Sequence, residues 1–220
     1  DLDFIGGAIA APYKEIVAEW LGLNITPEAK KIGAVNCLYR TLSGELKGTN
    51  TDGEASLVTF NNNFKSLESK SIMILGIGGA GKAVASYFVT NAASTTIISR
   101  SKDGKEYADK INAKWSDWGQ INQIIDTIDV VVNCTSVGFG NQVMESPLNE
   151  EQMSNLKAST IIFDIVYQPI ETQFLKIANN IGFSTLNGVG MNLEQAVLAY
   201  QYAVEPEKSL NTIREIMQYA

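Results

Sequence analysis

A chain of 220 residues, 45% hydrophobic and 19% charged, has an ordinary globular composition and enough length for one large domain or two small ones. Its formal charge of −7 argues against a nucleic-acid or anionic-membrane partner, since both need a basic surface. There is no histidine, so proton transfer must fall to Lys, Asp, Glu, Tyr or Cys.

Cys37 and Cys134 lie far apart in apolar stretches, without disulfide or metal spacing, so a cytoplasmic, reducing setting and no metal are expected. No secretory signal or membrane span is read. The chain opens on Asp1 inside an apolar run, as expected of a piece whose N-terminal part is missing.

In chain order, residues 1–9 predict a strand with an irregularity at Gly6-Gly7. Pro12 is expected to open a helix whose apolar face is Ile16, Val17, Trp20 and Leu21 and which ends at Gly22. Thr26-Pro27-Glu28 starts a second, short helix. Residues 34–39 and 44–48 read as strands joined by a hairpin at Ser43-Gly44. Asn50-Thr51-Asp52 precede a helix carrying Ala55, Leu57, Val58 and Phe60, and the polar residues 61–70 mark a boundary.

Residues 71–88 read as a buried strand, a glycine turn and a helix. Ile72 to Leu75 are apolar; Gly76, Gly78 and Gly81 fall in G-x-G-x-x-G spacing with an extra Gly79, followed by Ala80; Ala83, Val84, Tyr87 and Phe88 share a helical face, with Lys82 and Ser86 away from it. This is the context of a dinucleotide site, where glycine admits the pyrophosphate and the helix start offers free N–H groups. Strands then follow at 95–99, 128–134, 160–164 and 183–186, with helices to about 113 and over 171–180. Two helices close the chain, near 190–203 and 206–219. The alternation predicts an α/β, Rossmann-type doubly wound parallel sheet.

The end of the second strand of such a sheet selects the cofactor. Here it reads Ser99-Arg100-Ser101-Lys102, with no carboxylate before Asp103, which predicts NADP rather than NAD. By composition alone, Lys14 is a solvated lysine, Asp52 a helix cap, and Asn36 and Asn50 turn residues; periodicity does not single them out.

The blocks GAIAAPYK, IGAVNCLYR, GELKGTNTDG, ILGIGGAGKA, VVNCTSVGF, DIVYQP with Thr172, and GMNLEQA resemble the shikimate dehydrogenase family in order and spacing over nearly the whole chain. The resemblance implies a Rossmann domain at 66–190 and a smaller, partly truncated α/β substrate domain formed by 1–65 with 191–220. It implies NADP-dependent, reversible reduction of 3-dehydroshikimate to shikimate, or of a related cyclic hydroxy acid, in aromatic amino acid biosynthesis; some relatives act on quinate with NAD, and others are non-catalytic regulators. Lys14 and Asp52 match the catalytic pair: an ammonium protonates the developing alkoxide and a carboxylate orients it. Asn36, Tyr167 and Gln195 match substrate contacts. Gly76, Gly78, Gly79, Ala80, Gly81, Ser99, Arg100, Ser101, Lys102, Thr135, Ser136, Val166, Gly190 and Met191 match cofactor positions. A small-molecule substrate and a monomer or homodimer are expected.

The family's N-V-T-x-P-x-K block reads Ala8-Ile9-Ala10-Ala11-Pro12-Tyr13-Lys14 here, with methyl groups replacing two polar side chains, and its Ser-x-Ser pair falls before Asp1. A pocket lacking two hydrogen-bond partners should reject a ligand that buries those hydroxyls, so a quinate-like or amino analogue is the second candidate substrate.

Overall fold

Residues 4–204 and 206–219 are described in the computed structural model of the chain. The first of them build a three-stranded antiparallel sheet from β1 (Gly6–Ala8), β2 (Cys37–Arg40) and β3 (Leu46–Thr49). The start of the strand expected over 1–9 lies outside the described residues. The expected hairpin joins β2 to β3, with Gly44 at φ +84° donating to Thr41. Between β1 and β2 run α1 (Lys14–Leu21) and α2 (Pro27–Ile32); Pro27 occupies the first turn of α2 and Thr26 caps it by accepting from the Ala29 amide.

Two expectations for α1 are corrected. Pro12 lies in the turn before the helix rather than in its first turn, and Lys14 is the first helical residue. Ile16 and Trp20, placed on the apolar face, are 60% and 70% exposed, whereas Ala18 and Leu21 are buried. The cause is the i, i+4, i+7 stripe: Lys14, Ala18 and Leu21 share it, and Lys14 turns inward to an acidic partner. Gly22 ends the helix as expected.

After β3 comes α3 (Asp52–Asn63), then the second sheet: β4 (Ser71–Leu75), α4 (Gly79–Phe88), β5 (Ser94–Ser99), α5 (Lys102–Ile111), β6 (Lys114–Asp117), β7 (Val130–Asn133), α6 (Glu150–Ser154), β8 (Ile161–Asp164), α7 (Gln173–Ile181) and β9 (Ser184–Leu186). The six strands run parallel in the order β6-β5-β4-β7-β8-β9, so the order reverses at β4. Alternate residues of one strand serve opposite faces. Ile72, Ile74, Val130, Val132 and Phe163 meet α3, α4 and α5, while Met73, Leu75, Val131 and Ile162 meet α7 through Phe174, Leu175 and Ala178. Each such side chain contributes about 1.5–3 kcal/mol on burial.

The sequence reading missed β6. Its residues, Lys-Trp-Ser-Asp, show no apolar run because the strand lies at an edge and buries little beyond Ser116. Ser86, expected to point away from the packed face, is buried: α4 lies between the sheet and α3, so both of its sides are covered.

From β9 the chain enters α8 (Val189–Ala203), which returns to the first layer and packs on α3, β1 and β2. The last helix, α9 (Leu210–Gln218), is pinned to α8 by Arg214, which donates to both carboxylate oxygens of Glu194 at 2.6 and 2.8 Å. Among the described residues no helix is long and apolar enough to cross a membrane.

Candidate active site

Lys14 and Asp52 are 38 residues apart in the chain, and the fold sets them in contact. Each is the first residue of its helix, α1 and α3 respectively, and Lys14 Nζ lies 2.5 Å from Asp52 Oδ2 with the side chains only 15% and 5% exposed. Asp52 does not cap α3; Thr51 holds that position, and the Asp52 carboxylate takes up other bonds. Asn36 donates to Asp52 Oδ1 at 2.9 Å and to Thr51 Oγ1 at 2.9 Å, and accepts from the Thr51 amide at 2.8 Å. Asn50, read as a turn residue, accepts from the Asp52 amide and donates to the Ala34 carbonyl, both at 3.0 Å. Gln195 reaches the same cluster from α8: its backbone carbonyl accepts from Thr51 Oγ1 at 3.0 Å, and its Oε1 is 3.4 Å from Asn36 Nδ2. The carboxylate is therefore held at one oxygen by Lys14 and at the other by Asn36, its backbone is anchored by Asn50, and the helix start adds favourable partial charge. Ala8 and Ala10 expose their methyl groups on the segment leading to Lys14.

The glycine turn abuts this cluster. Gly76 has φ +93°, and a Cβ there would meet Thr135 at 2.9 Å, so both conformation and space require glycine. Gly78 differs. Its backbone is ordinary extended chain at φ −70°, and a Cβ would meet nothing within 4 Å. No protein atom excludes a side chain here, and the open space before the first N–H groups of α4 is what a pyrophosphate needs. Gly79 begins α4 with its Cα against Lys14; a Cβ there would lie 2.9 Å from the lysine Cβ.

Beside the turn, at the carboxyl ends of β4, β5 and β7, a cavity of about 350 Å³ is lined by Gly76, Ile77, Ser99, Arg100, Ser101, Trp118 and Thr135. Neither Arg100 nor Lys102 makes an ion pair among the described residues. The open glycine cradle and these uncommitted cations fit a phosphorylated dinucleotide. The Ser99 hydroxyl is already engaged: it accepts from Trp115 Nε1 at 2.9 Å and lies 3.2 Å from the Ser101 carbonyl. Trp118 was missed by sequence. Recognising β6 would have found it, because it directly follows that strand at the carboxyl end, where the cavity lies.

The loops after β7 and β8 are tied by a buried pair in register, Asn133 and Asp164. Asn133 donates to Asp164 Oδ1 at 2.9 Å and accepts from the Thr135 amide and hydroxyl at 3.0 and 2.7 Å. Asp164 also accepts from the Val166 amide at 3.1 Å and from Thr172 Oγ1 at 2.6 Å. Thr135, Ser136, Val166 and Tyr167 thus sit on two loops held by one carboxylate; Tyr167 is 47% exposed. The Val166 carbonyl receives the Gly188 amide at 3.1 Å, which places Gly190 at the start of α8, while the Met191 side chain is buried in the main core. Burial first, then the charges of Asp164 and Asp52, push the Cys134 thiol up.

Three comparisons bear on this geometry. The family model described as "Shikimate / quinate 5-dehydrogenase" matches residues 59–184. The shikimate dehydrogenase (NADP(+)) of Desulfitobacterium hafniense is 31% identical over 225 residues, covering 100% of this chain and 80% of the relative. Among solved structures, shikimate dehydrogenase 1 from Peptoclostridium difficile superposes with a TM-score of 0.84 at 30% identity, over 99% of this chain and 77% of that one. A quinate dehydrogenase from Corynebacterium glutamicum in complex with NAD also gives 0.84, at 29% identity, over 100% and 79%.

Proposed function

The chain belongs to the shikimate/quinate 5-dehydrogenase family, and on that premise we propose that Lys14 and Asp52 perform the proton transfer of its reaction. That reaction is the NADP-dependent, reversible reduction of 3-dehydroshikimate to shikimate, an oxidoreduction at a secondary alcohol in aromatic amino acid biosynthesis. The observation that carries the assignment is the shielded contact of 2.5 Å between Lys14 and Asp52 beside the glycine turn.

Bound NADPH supplies the hydride. As the carbonyl carbon is reduced, its oxygen gains negative charge, and the Lys14 ammonium is the donor that protonates it; in the oxidation direction the amine takes the proton back. Asp52 directs the ammonium and offers remaining lone pairs to a substrate hydroxyl, with Asn36 holding its Oδ1 and Asn50 anchoring its backbone amide. Asn36, Gln195 and Tyr167 complete the substrate wall. The backbone of Gly76 to Gly81 would hold the pyrophosphate, Arg100, Ser101 and Lys102 would take the 2′-phosphate, and Thr135, Ser136, Val166, Gly190 and the backbone of Met191, whose side chain is buried, would lie toward the ribose and nicotinamide.

Two sheets of separate build support a division into a substrate domain, 1–65 with 191–220, and a cofactor domain, 66–190. Two buried, unpaired cysteines support a cytoplasmic setting. A monomer or homodimer is the expected assembly.

Turnover of shikimate and quinate, each with NADP and with NAD, tests the reading. Shikimate with NADP is expected to give the highest kcat/KM. A preference for quinate with NAD would move the assignment to that second substrate; no turnover of either would overturn it.

A further inference from the structure

Lys14 and Glu15 are consecutive, yet they anchor to different elements. Lys14 reaches Asp52 on α3, and Glu15 forms an ion pair with Lys82 on α4. Lys82 is itself held in place: its ammonium lies over the Tyr107 ring at 5.7 Å from the centroid, and the Tyr107 hydroxyl donates to the Lys82 carbonyl at 2.9 Å. Tyr107 is 6% exposed and belongs to the core between α5 and the sheet, so the anchor is rigid. Lys110, from α5, flanks the same ring at 5.8 Å. The first turn of α1 is thus docked on the first turn of α4, the turn that faces the pyrophosphate space.

Two contacts define that dock. Gly79 against the Lys14 Cβ sets the closest approach, because even one added carbon would overlap. The Glu15–Lys82 pair limits separation. With Glu15 42% exposed, the pair adds little to stability; its effect is geometric. Proton transfer from Lys14 and hydride transfer from the nicotinamide must converge on one carbon–oxygen bond, and misplacement by about 1 Å costs up to about 100-fold in rate.

Resting on the function proposed above, we propose that Glu15 and Lys82 are positioning residues for catalysis: their ion pair holds the turn bearing Lys14 in register with the glycine turn that carries the cofactor.

Glu15→Gln in the whole chain is the test, because Glu15 lies outside the catalytic and cofactor positions. The variant is expected to lose about 10- to 100-fold in kcat at saturating substrate, with the NADPH Kd, read by fluorescence, within about threefold of the parent. Its Tm should shift by less than about 4 °C. Amide hydrogen exchange over residues 14–18 and 79–83, measured without cofactor, should quicken, and exchanging the charges (Glu15→Lys with Lys82→Glu) should restore both exchange and kcat. A kcat within about twofold of the parent, or a loss matched by an equal loss of NADPH affinity, would overturn the inference. If the parent turns over neither substrate, the proposed function fails, and exchange alone decides the dock: faster exchange upholds it and unchanged exchange removes it.

Discussion

Asp164 has no exposed surface, and burial pushes its carboxyl up to about 6, against the opposing pull of hydrogen bonds from Thr172, the Val166 amide and Asn133. A carboxyl whose pKa is raised on folding contributes stability that is present below its unfolded value and lost as pH rises through the folded one. The contribution therefore fades between about pH 4 and 6 and amounts to no more than about 3 kcal/mol. Asp164→Asn removes the titration while its carbonyl can still accept from Asn133 and Val166. Thermal melts of parent and variant should diverge in the variant's favour as pH rises from about 4 to 7; a constant difference would show that this carboxyl does not titrate there. At this scale the sequence was least legible. Lys14 and Asp52 read alone as a solvated lysine and a cap, and only their place in family blocks gave them roles. Asn133 and Asp164 carried a weaker signal, each a polar residue closing an apolar strand.

The strand–turn–helix element from β4 into α4 was legible in its order and extent, because its apolar run, glycine spacing and helical face agree with one another, although the burial of Ser86 on its second side was not. Its glycines divide by cause. Gly76 serves the backbone and Gly79 makes room for Lys14, whereas Gly78 borders open space. Gly78→Val should therefore leave the circular-dichroism spectrum and Tm unchanged and weaken NADP by at least about tenfold, since the added side chain fills the pyrophosphate space. Normal NADP binding by that variant would place the dinucleotide elsewhere. Elements whose burial is one-sided were harder to read. The edge strand β6 has no apolar run, and α1 presents Trp20 outward because an inward-turned lysine sets its buried stripe.

At the scale of the molecule, the parallel sheet was legible from alternating strands and helices, and so was the return of α8 to the first layer from the family blocks. What periodicity could not supply was long-range juxtaposition. Lys14, Asn36, Asp52 and Gln195 come from α1, the segment before β2, α3 and α8, and no local pattern encodes their meeting. That meeting, against the glycine turn of the second sheet, is the central claim. It is tested most directly by the rate of Lys14→Met at saturating NADP and substrate, with NADP affinity measured alongside. Loss of the proton carrier should lower turnover by roughly two to four orders of magnitude, with NADP bound as tightly as by the parent. A rate within a few-fold of the parent would contradict the account, as would a loss explained wholly by weaker NADP binding.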